Sequence, residues 1–139
     1  MEGKTALIAL NDEKSAQMYM ATARMFGYVP VFISADNIPS GLSRAVFAAG
    51  RRERLLAEAR TNSYSACLMD VNFGMPSSNN VQIGYDVWQL FKSRVETGEA
   101  RFLGIAGLDE TVQAAVSLGI PAEFVVNKSQ LDLVRFFRG

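Results

Sequence analysis

Acidic residues and one lysine follow three apolar segments of the chain, a combination able to hold a divalent cation and a phosphoryl group. They stand at the ends of the first, third and fifth strand-like segments: Asn11, Asp12 and Glu13; Asp70; and Asn127, Lys128 and Ser129. Carboxylates that meet repel one another unless a cation lies between them, so such a cluster suits a hard ion such as Mg²⁺. A lysine beside them offers a compact positive charge for a phosphoryl oxygen.

Asp70 ends a short apolar run and is followed by turn-forming residues, a pattern typical of a buried strand that empties into a loop. Ligands of an open parallel α/β sheet bind at the carboxyl ends of its strands, so Asp70 is placed for chemistry. Structural alternatives exist for each candidate. Asp70 could satisfy loop amides in a turn, Asp12 could cap the first helix, and Lys128 could be a solvated residue at a strand end.

The elements that must position these residues alternate along the chain. Short apolar runs predict five strands, at residues 5–10, 29–33, 66–69, 102–106 and 123–126. Apolar residues at helical spacing predict helices at residues 14–26, 85–95, 110–118 and about 130–137, the first with Asn11 or Asp12 as its N-cap. This alternation implies a three-layer α/β sandwich with a parallel sheet. In the flavodoxin-like strand order 2-1-3-4-5, the three polar strand ends lie near one another.

Two segments are longer than simple connections require. Residues 34–65 predict either one long second helix or two helices with a joint near Gly50. Basic residues are concentrated there: Arg44, Arg51, Arg52, Arg54 and Arg60, interrupted by Glu53 and Glu58. They form either a solvated helix face with i,i+4 ion pairs or a docking surface for an acidic partner. The second long segment, residues 74–83, covers the acidic site as a lid, provides a binding edge, or is only a mobile polar loop.

Composition limits the class of protein. The 139 residues predict a single domain, 1–139, and the 14 basic and 14 acidic residues cancel, which argues against nucleic acid or a membrane surface as a partner. No apolar run is long enough to span a membrane and the first residues lack the apolar stretch of a signal peptide, so we expect a cytoplasmic location. The absence of histidine excludes histidine-based triads, and Cys67 has no cysteine partner for a disulfide.

The chain resembles the receiver domains of two-component response regulators. The resemblance lies in ALIALNDE at 6–13, LMDVN at 68–72, MP at 75–76, Gly84 and VVNK at 125–128. It implies that Asp70 accepts a phosphoryl group from a histidine kinase and that Lys128 pairs first with Asp70 and then with that group. It also implies a Mg²⁺ site formed by Asp70, the backbone carbonyl of Asn72, and an acidic pair that is either Asn11-Asp12 or Asp12-Glu13.

Several positions depart from the receiver pattern. The switch position at the end of the fourth strand, usually Thr or Ser, is Ala106, which has no hydroxyl for a phosphoryl group. The fifth strand has Val125 where the family has an aromatic residue, with Phe124 one position away. The family's Lys-Pro peptide is Lys128-Ser129, for which we expect a trans bond because a cis bond without proline costs ~2.5–4 kcal/mol.

Three functions remain open at this stage. The first is an atypical receiver that is phosphorylated on Asp70 and passes a signal to a partner protein or an attached effector domain. The second is a pseudo-receiver, a protein-binding module that works without phosphorylation. The third, remote possibility is an aspartyl-phosphate phosphatase of the haloacid dehalogenase type, but such enzymes need an acid two residues after the nucleophile, where this chain has Asn72. We expect no enzymatic turnover, and a homodimer is open.

Overall fold

A five-stranded parallel sheet in the order β2-β1-β3-β4-β5 forms the centre of the fold. The computed structural model describes residues 4–35, 44–75 and 78–139. In these ranges the strands are β1 (Lys4–Leu10), β2 (Tyr28–Ser34), β3 (Ala66–Asp70), β4 (Arg101–Ala106) and β5 (Val125–Asn127). The α-helices are α1 (Ala16–Met25), α2 (Arg44–Thr61), α3 (Gln82–Glu96), α4 (Asp109–Leu118) and α5 (Leu133–Arg138). This is the flavodoxin-like α/β sandwich expected from the alternation of segments.

The central strands are apolar because helices cover both faces of the sheet. All five residues of β3 are buried, and so are the last five of β1. Alternate residues of β1 face opposite layers. Leu7 and Ala9 belong to a core that includes residues of α2, α3 and α4, whereas Ala6 and Ile8 belong to a second core with residues of α1 and α5. The sheet is therefore covered by an apolar core on each face.

The second helix is a single element. The structure has one helix over Arg44–Thr61, so the alternative of two helices with a joint near Gly50 is wrong. A side chain at Gly50 would meet nothing within 4 Å, and no packing contact there forces the chain to turn. The helix formers that follow, among them Arg51 and Arg52, continue the helix through the glycine.

Other boundaries differ from the predicted ones for local reasons. The N-cap of α1 is Ser15, and neither Asn11 nor Asp12 caps it, because the chain makes a turn in which Ala16 N–H donates to the Glu13 carbonyl. Glu123 lies in a 3₁₀ turn at residues 122–124 instead of in β5. That turn lets the Phe124 ring stack on Trp88, with a centroid distance of 4.9 Å. Asp132 caps α5 by accepting from Arg135 N–H, so this helix begins later than predicted.

Gly84 allows α3 to approach the loop that follows β3. A Cβ at this position would lie 2.8 Å from the carbonyl oxygen of Val71, a distance that real side chains essentially never show. Gly84 N–H donates to the same oxygen at 3.2 Å. The start of α3 therefore holds the backbone immediately after Asp70. Across the ranges described above, no helix combines the length and apolar character needed to cross a bilayer.

Candidate functional site

The carboxylate of Asp70 lies at the end of β3 with a donor on each oxygen. Lys128 Nζ contacts Oδ1 at 2.8 Å, and Asn11 N–H donates to Oδ2 at 2.6 Å. Asp70 is only 1% exposed. The polar ends of β1, β3 and β5 thus meet at one edge of the sheet, as the strand order predicts.

A cavity of about 270 Å³ opens beside this carboxylate. Its lining residues come from the ends of β1, β3, β4 and β5 and from the start of α4: Asn11, Asp70, Asn72, Gly107, Leu108, Thr111 and Lys128. Asp70 is the one acidic residue among them, and Lys128 is the one basic residue. The cavity therefore presents an ion pair to whatever enters it.

Burial and the neighbouring charges act on Asp70 in opposite directions. Burial raises the pKa of Asp70 above its ordinary value of 3.8, because the low-dielectric interior disfavours the charged form. The charge and hydrogen bond of Lys128, and the hydrogen bond from Asn11, lower that pKa. The charge of Asp12 raises it. Asp12 is therefore close enough to repel Asp70, and a cation between the two would relieve that repulsion.

Lys128 is held in place by the residue before it. Asn127 Oδ1 accepts hydrogen bonds from the N–H and the hydroxyl of Ser129, both at 3.0 Å, and its Nδ2 donates to Asp109 Oδ1 at 2.9 Å. The peptide bond after Lys128 is trans, as expected. Asn127 was not identified as a positioning residue from the sequence, although an Asn two residues before a Ser is a common former of such turns.

The side chain of Asn11 ties β1 to the loop after β3. Its Nδ2 donates to Asn72 Oδ1 at 3.0 Å and contacts the Asn72 carbonyl oxygen at 3.4 Å, while its Oδ1 accepts from Gly74 N–H at 2.8 Å. An aspartate could accept the bond from Gly74 but could not donate to Asn72. The neutral amide is thus the residue type that this arrangement requires.

Asp12 and Glu13 stay outside the cavity. Asp12 Oδ1 accepts from Lys14 N–H at 2.9 Å, and Glu13 is exposed. Among the residues with assigned positions, no three His, Cys, Asp or Glu side chains come together as a metal site. Asp12, Asp70 and the Asn72 carbonyl nevertheless fit Mg²⁺ in kind, since this ion keeps several waters and needs only one or two carboxylates. Asn11 competes for the Asn72 oxygen, so the fit is that of a weak site.

Ala106 is fully buried in the core on the α3 side of the sheet. Among the lining residues that the structure describes, Thr111 on α4 carries the one hydroxyl, and this residue is 2% exposed. Thr111 Oγ1 donates to Asn79 Oδ1 at 2.8 Å. Nothing in the sequence indicated that Thr111 lines the cavity and binds the loop, because a Thr at this helical position also fits an ordinary core contact.

The loop after β3 lies beside the cavity. Asn72 Nδ2 donates to the Ser78 carbonyl at 2.9 Å and Thr111 binds Asn79, but no residue of 78–83 lines the cavity. A lid role for residues 74–83 therefore stays a prediction, and residues 76 and 77 lie outside the described part of the chain.

The basic residues of α2 do not form one uniformly solvated face. Arg51 and Arg52 are half-buried, whereas Arg54 and Arg60 are exposed. The Glu58 carboxylate accepts a hydrogen bond from the Tyr64 hydroxyl at 2.5 Å, and Tyr64 lies in the segment that follows the helix. The side chain of Arg44 lies outside the described residues. A docking surface for an acidic partner stays a prediction.

The ion pair, the cavity and the donors around Asp70 are the features on which a function can be argued. Comparison of the chain with protein-family models gives no match. A search among curated proteins likewise gives no match.

Proposed function

We propose that the chain is an atypical receiver domain of two-component signalling, in which Asp70 accepts a phosphoryl group from a phosphohistidine of a partner kinase. The observation that carries this proposal is the contact of 2.8 Å between Lys128 Nζ and the Asp70 carboxylate at an open cavity. The cavity leaves the Asp70 carboxylate within reach of an incoming group. A nucleophile needs such access.

The chemistry follows from the donors that surround the carboxylate. An oxygen of Asp70 attacks the phosphorus of the donor, an O–P bond forms, the P–N bond to the partner imidazole breaks, and the leaving nitrogen takes a proton from solvent. Lys128 then neutralises negative charge on the phosphoryl oxygens, and the Asn11 N–H holds the remaining carboxylate oxygen. The lack of histidine in the chain agrees with this scheme, because the donor imidazole belongs to another protein.

A Mg²⁺ ion is part of the proposal, with Asp12, Asp70 and the Asn72 carbonyl as the residues that would hold it. When bound, the ion supplies positive charge for the phosphoryl oxygens. Before it binds, this chain's own residues limit its access, because the Asn11 amide contacts the Asn72 carbonyl oxygen. We propose no turnover of a substrate, and a cytoplasmic location goes with a kinase partner. An effector domain, another partner protein or a homodimer are the candidate recipients of the signal.

The test uses a small phosphodonor in place of the unidentified kinase. The chain is incubated with acetyl phosphate and MgCl₂, and its intact mass is measured. We expect the mass of one phosphoryl group to appear in the wild type and to be absent from Asp70→Asn. If the wild type gains no adduct, or if the adduct survives in Asp70→Asn, the proposal is wrong.

A second candidate, a pseudo-receiver that binds partners without phosphorylation, is favoured by two observations. Ala106 supplies no hydroxyl at the end of β4, and Asp70 is already neutralised by Lys128 and the Asn11 N–H. The mass experiment separates the two candidates, because the binding module forms no adduct. We do not propose the phosphatase, since Asn72, two residues after Asp70, has no carboxyl group to act as a general acid and its amide binds Asn11 and Ser78.

A further inference from the structure

Thr111 joins the Asp70 cavity to the loop that precedes α3. Thr111 is 2% exposed, and within the described part of the chain its hydroxyl is the one hydroxyl among the residues that line the cavity. The same hydroxyl donates to Asn79 Oδ1 at 2.8 Å. Thr111 therefore lies at the boundary between the loop, whose amide it binds now, and the cavity that an anion would enter.

The loop has further contacts on the other side of the site. Asn72 Nδ2 donates to the Ser78 carbonyl at 2.9 Å, and Asn72 is in turn held by Asn11. Asn80 N–H donates to Ser78 Oγ at 3.0 Å. These bonds hold Ser78 and Asn80 close to the backbone after β3, whereas Asn79 is attached to α4 through Thr111. Loss of the Thr111 bond would therefore free Asn79 from α4, while Asn72 still holds Ser78 and Val81 stays packed in the core.

We propose that Thr111 senses a phosphoryl group on Asp70 by transferring its hydrogen bond from Asn79 to a phosphoryl oxygen, which releases residues 78–80 from α4. The transfer is favourable because a hydroxyl bonds more strongly to an ionised acceptor than to a neutral amide oxygen. A phosphoryl group adds charged oxygens to a cavity whose lining has a single positive side chain, Lys128. The inference rests on the proposed function, and it identifies the element that changes when Asp70 is modified.

Two substitutions remove the same hydrogen bond from opposite ends and separate its two roles. Thr111→Val removes the donor with little change in shape, and Asn79→Ala removes the loop acceptor. Thr111→Ser keeps the hydroxyl and is the matched control. The probe is beryllium fluoride with MgCl₂, a phosphoryl mimic whose affinity is measured by titration calorimetry. Amide hydrogen exchange of residues 78–80 is followed by mass spectrometry with and without the probe.

In the wild type we expect exchange of residues 78–80 to become several-fold faster when the probe binds. In both Thr111→Val and Asn79→Ala, exchange should be fast without the probe and should not change further. The two variants should differ in how their affinity for beryllium fluoride compares with that of the wild type. Thr111→Val, which has lost a bond to a charged group, should bind about tenfold more weakly, and Asn79→Ala should bind equally or more tightly. Thr111→Ser should behave like the wild type, which shows that the effect belongs to the hydroxyl.

Failure of the inference is distinguishable from failure of the function. If acetyl phosphate leaves no adduct on the wild type, the proposed function is wrong and the inference fails with it. If the adduct forms but Thr111→Val keeps the wild-type affinity for the probe, or if its loop exchange still responds to the probe, the inference alone is overturned.

Discussion

The two oxygens of the Asp70 carboxylate are bound in different ways. On the β5 side, Lys128 brings a full positive charge to Oδ1, and Asn127 braces the backbone around it. On the β1 side, Asn11 brings only neutral donors, with its N–H on Oδ2 and its side chain on Asn72. The charged side is the one that the proposed phosphoryl transfer would use, and the neutral side holds the loop after β3 in place.

This difference indicates that the Asp70 site can be stable without a bound metal ion, because Lys128 already pairs with the carboxylate. Sites built from several carboxylates depend on a bound cation to relieve the repulsion between the carboxylates. Here one carboxylate lines the cavity and it is already paired, while Asp12 repels it from outside. The predictions below change one side at a time, from the largest expected effect to the smallest.

Removing the charged side should have the largest effect. Lys128→Met leaves Asp70 buried without its cation, and we expect the rate of adduct formation from acetyl phosphate to fall about 10²–10³-fold, the usual cost of losing one stabilising group at a developing charge. Lys128→Arg is the control that keeps the charge and should retain part of the rate. The measurement is the initial rate of the mass shift. A Lys128→Met variant that reacts like the wild type would show that the ion pair serves the fold alone.

Turning the neutral side into a charged one should change the affinity for the ion. In Asn11→Asp, a carboxylate replaces the amide that contacts the Asn72 oxygens, so we expect Mg²⁺ to bind about tenfold tighter. Bound ion should then raise the urea midpoint of this variant more than that of the wild type. Asn11→Ala loses the same amide without adding charge. If Asn11→Ala gains Mg²⁺ affinity to the same degree, competition by the amide, and not the missing charge, limits the ion.

The smallest effect concerns stability. Because burial raises the pKa of Asp70 above 3.8, the folded state binds more protons than the unfolded state between 3.8 and the raised value. The contribution of Asp70 to stability is therefore present below 3.8 and is lost as the pH rises through this window. Asp70→Asn has no proton to lose, so its free energy of unfolding in urea should exceed that of the wild type at neutral pH.

That advantage of Asp70→Asn should shrink as the pH falls towards 3.8, where the wild-type carboxyl becomes neutral as well. Lys128 loses its partner in the variant, but its side chain is 35% exposed and water can solvate it, so this cost is small. An advantage that grows on acidification would mean that the lysine and the Asn11 amide outweigh burial.

Much of the fold and the centre of the site could be predicted from local patterns. Buried parallel strands must be apolar along their whole length, so β1 and β3 are visible as runs in the chain, and the alternation with helices implies a parallel sheet. Asp70 and Lys128 are polar residues at the carboxyl ends of two such strands. Their proximity was predictable because these ends lie at the same edge of a parallel sheet. The boundaries near residues 11–16 and 122–124 were not, because turns and ring stacking decided them.

The sequence by itself determined the layers of the sandwich and the meeting of Asp70 with Lys128, because both follow from which segments can be buried. Only the tertiary structure decided that Asn11 bridges two strand ends and that Thr111 reaches Asn79. These contacts join residues far apart in the chain, 59 positions for Asn11 and Asp70 and 32 for Thr111 and Asn79. Their side chains are short polar groups whose partners depend on the packing of whole elements, and no local pattern contains that information.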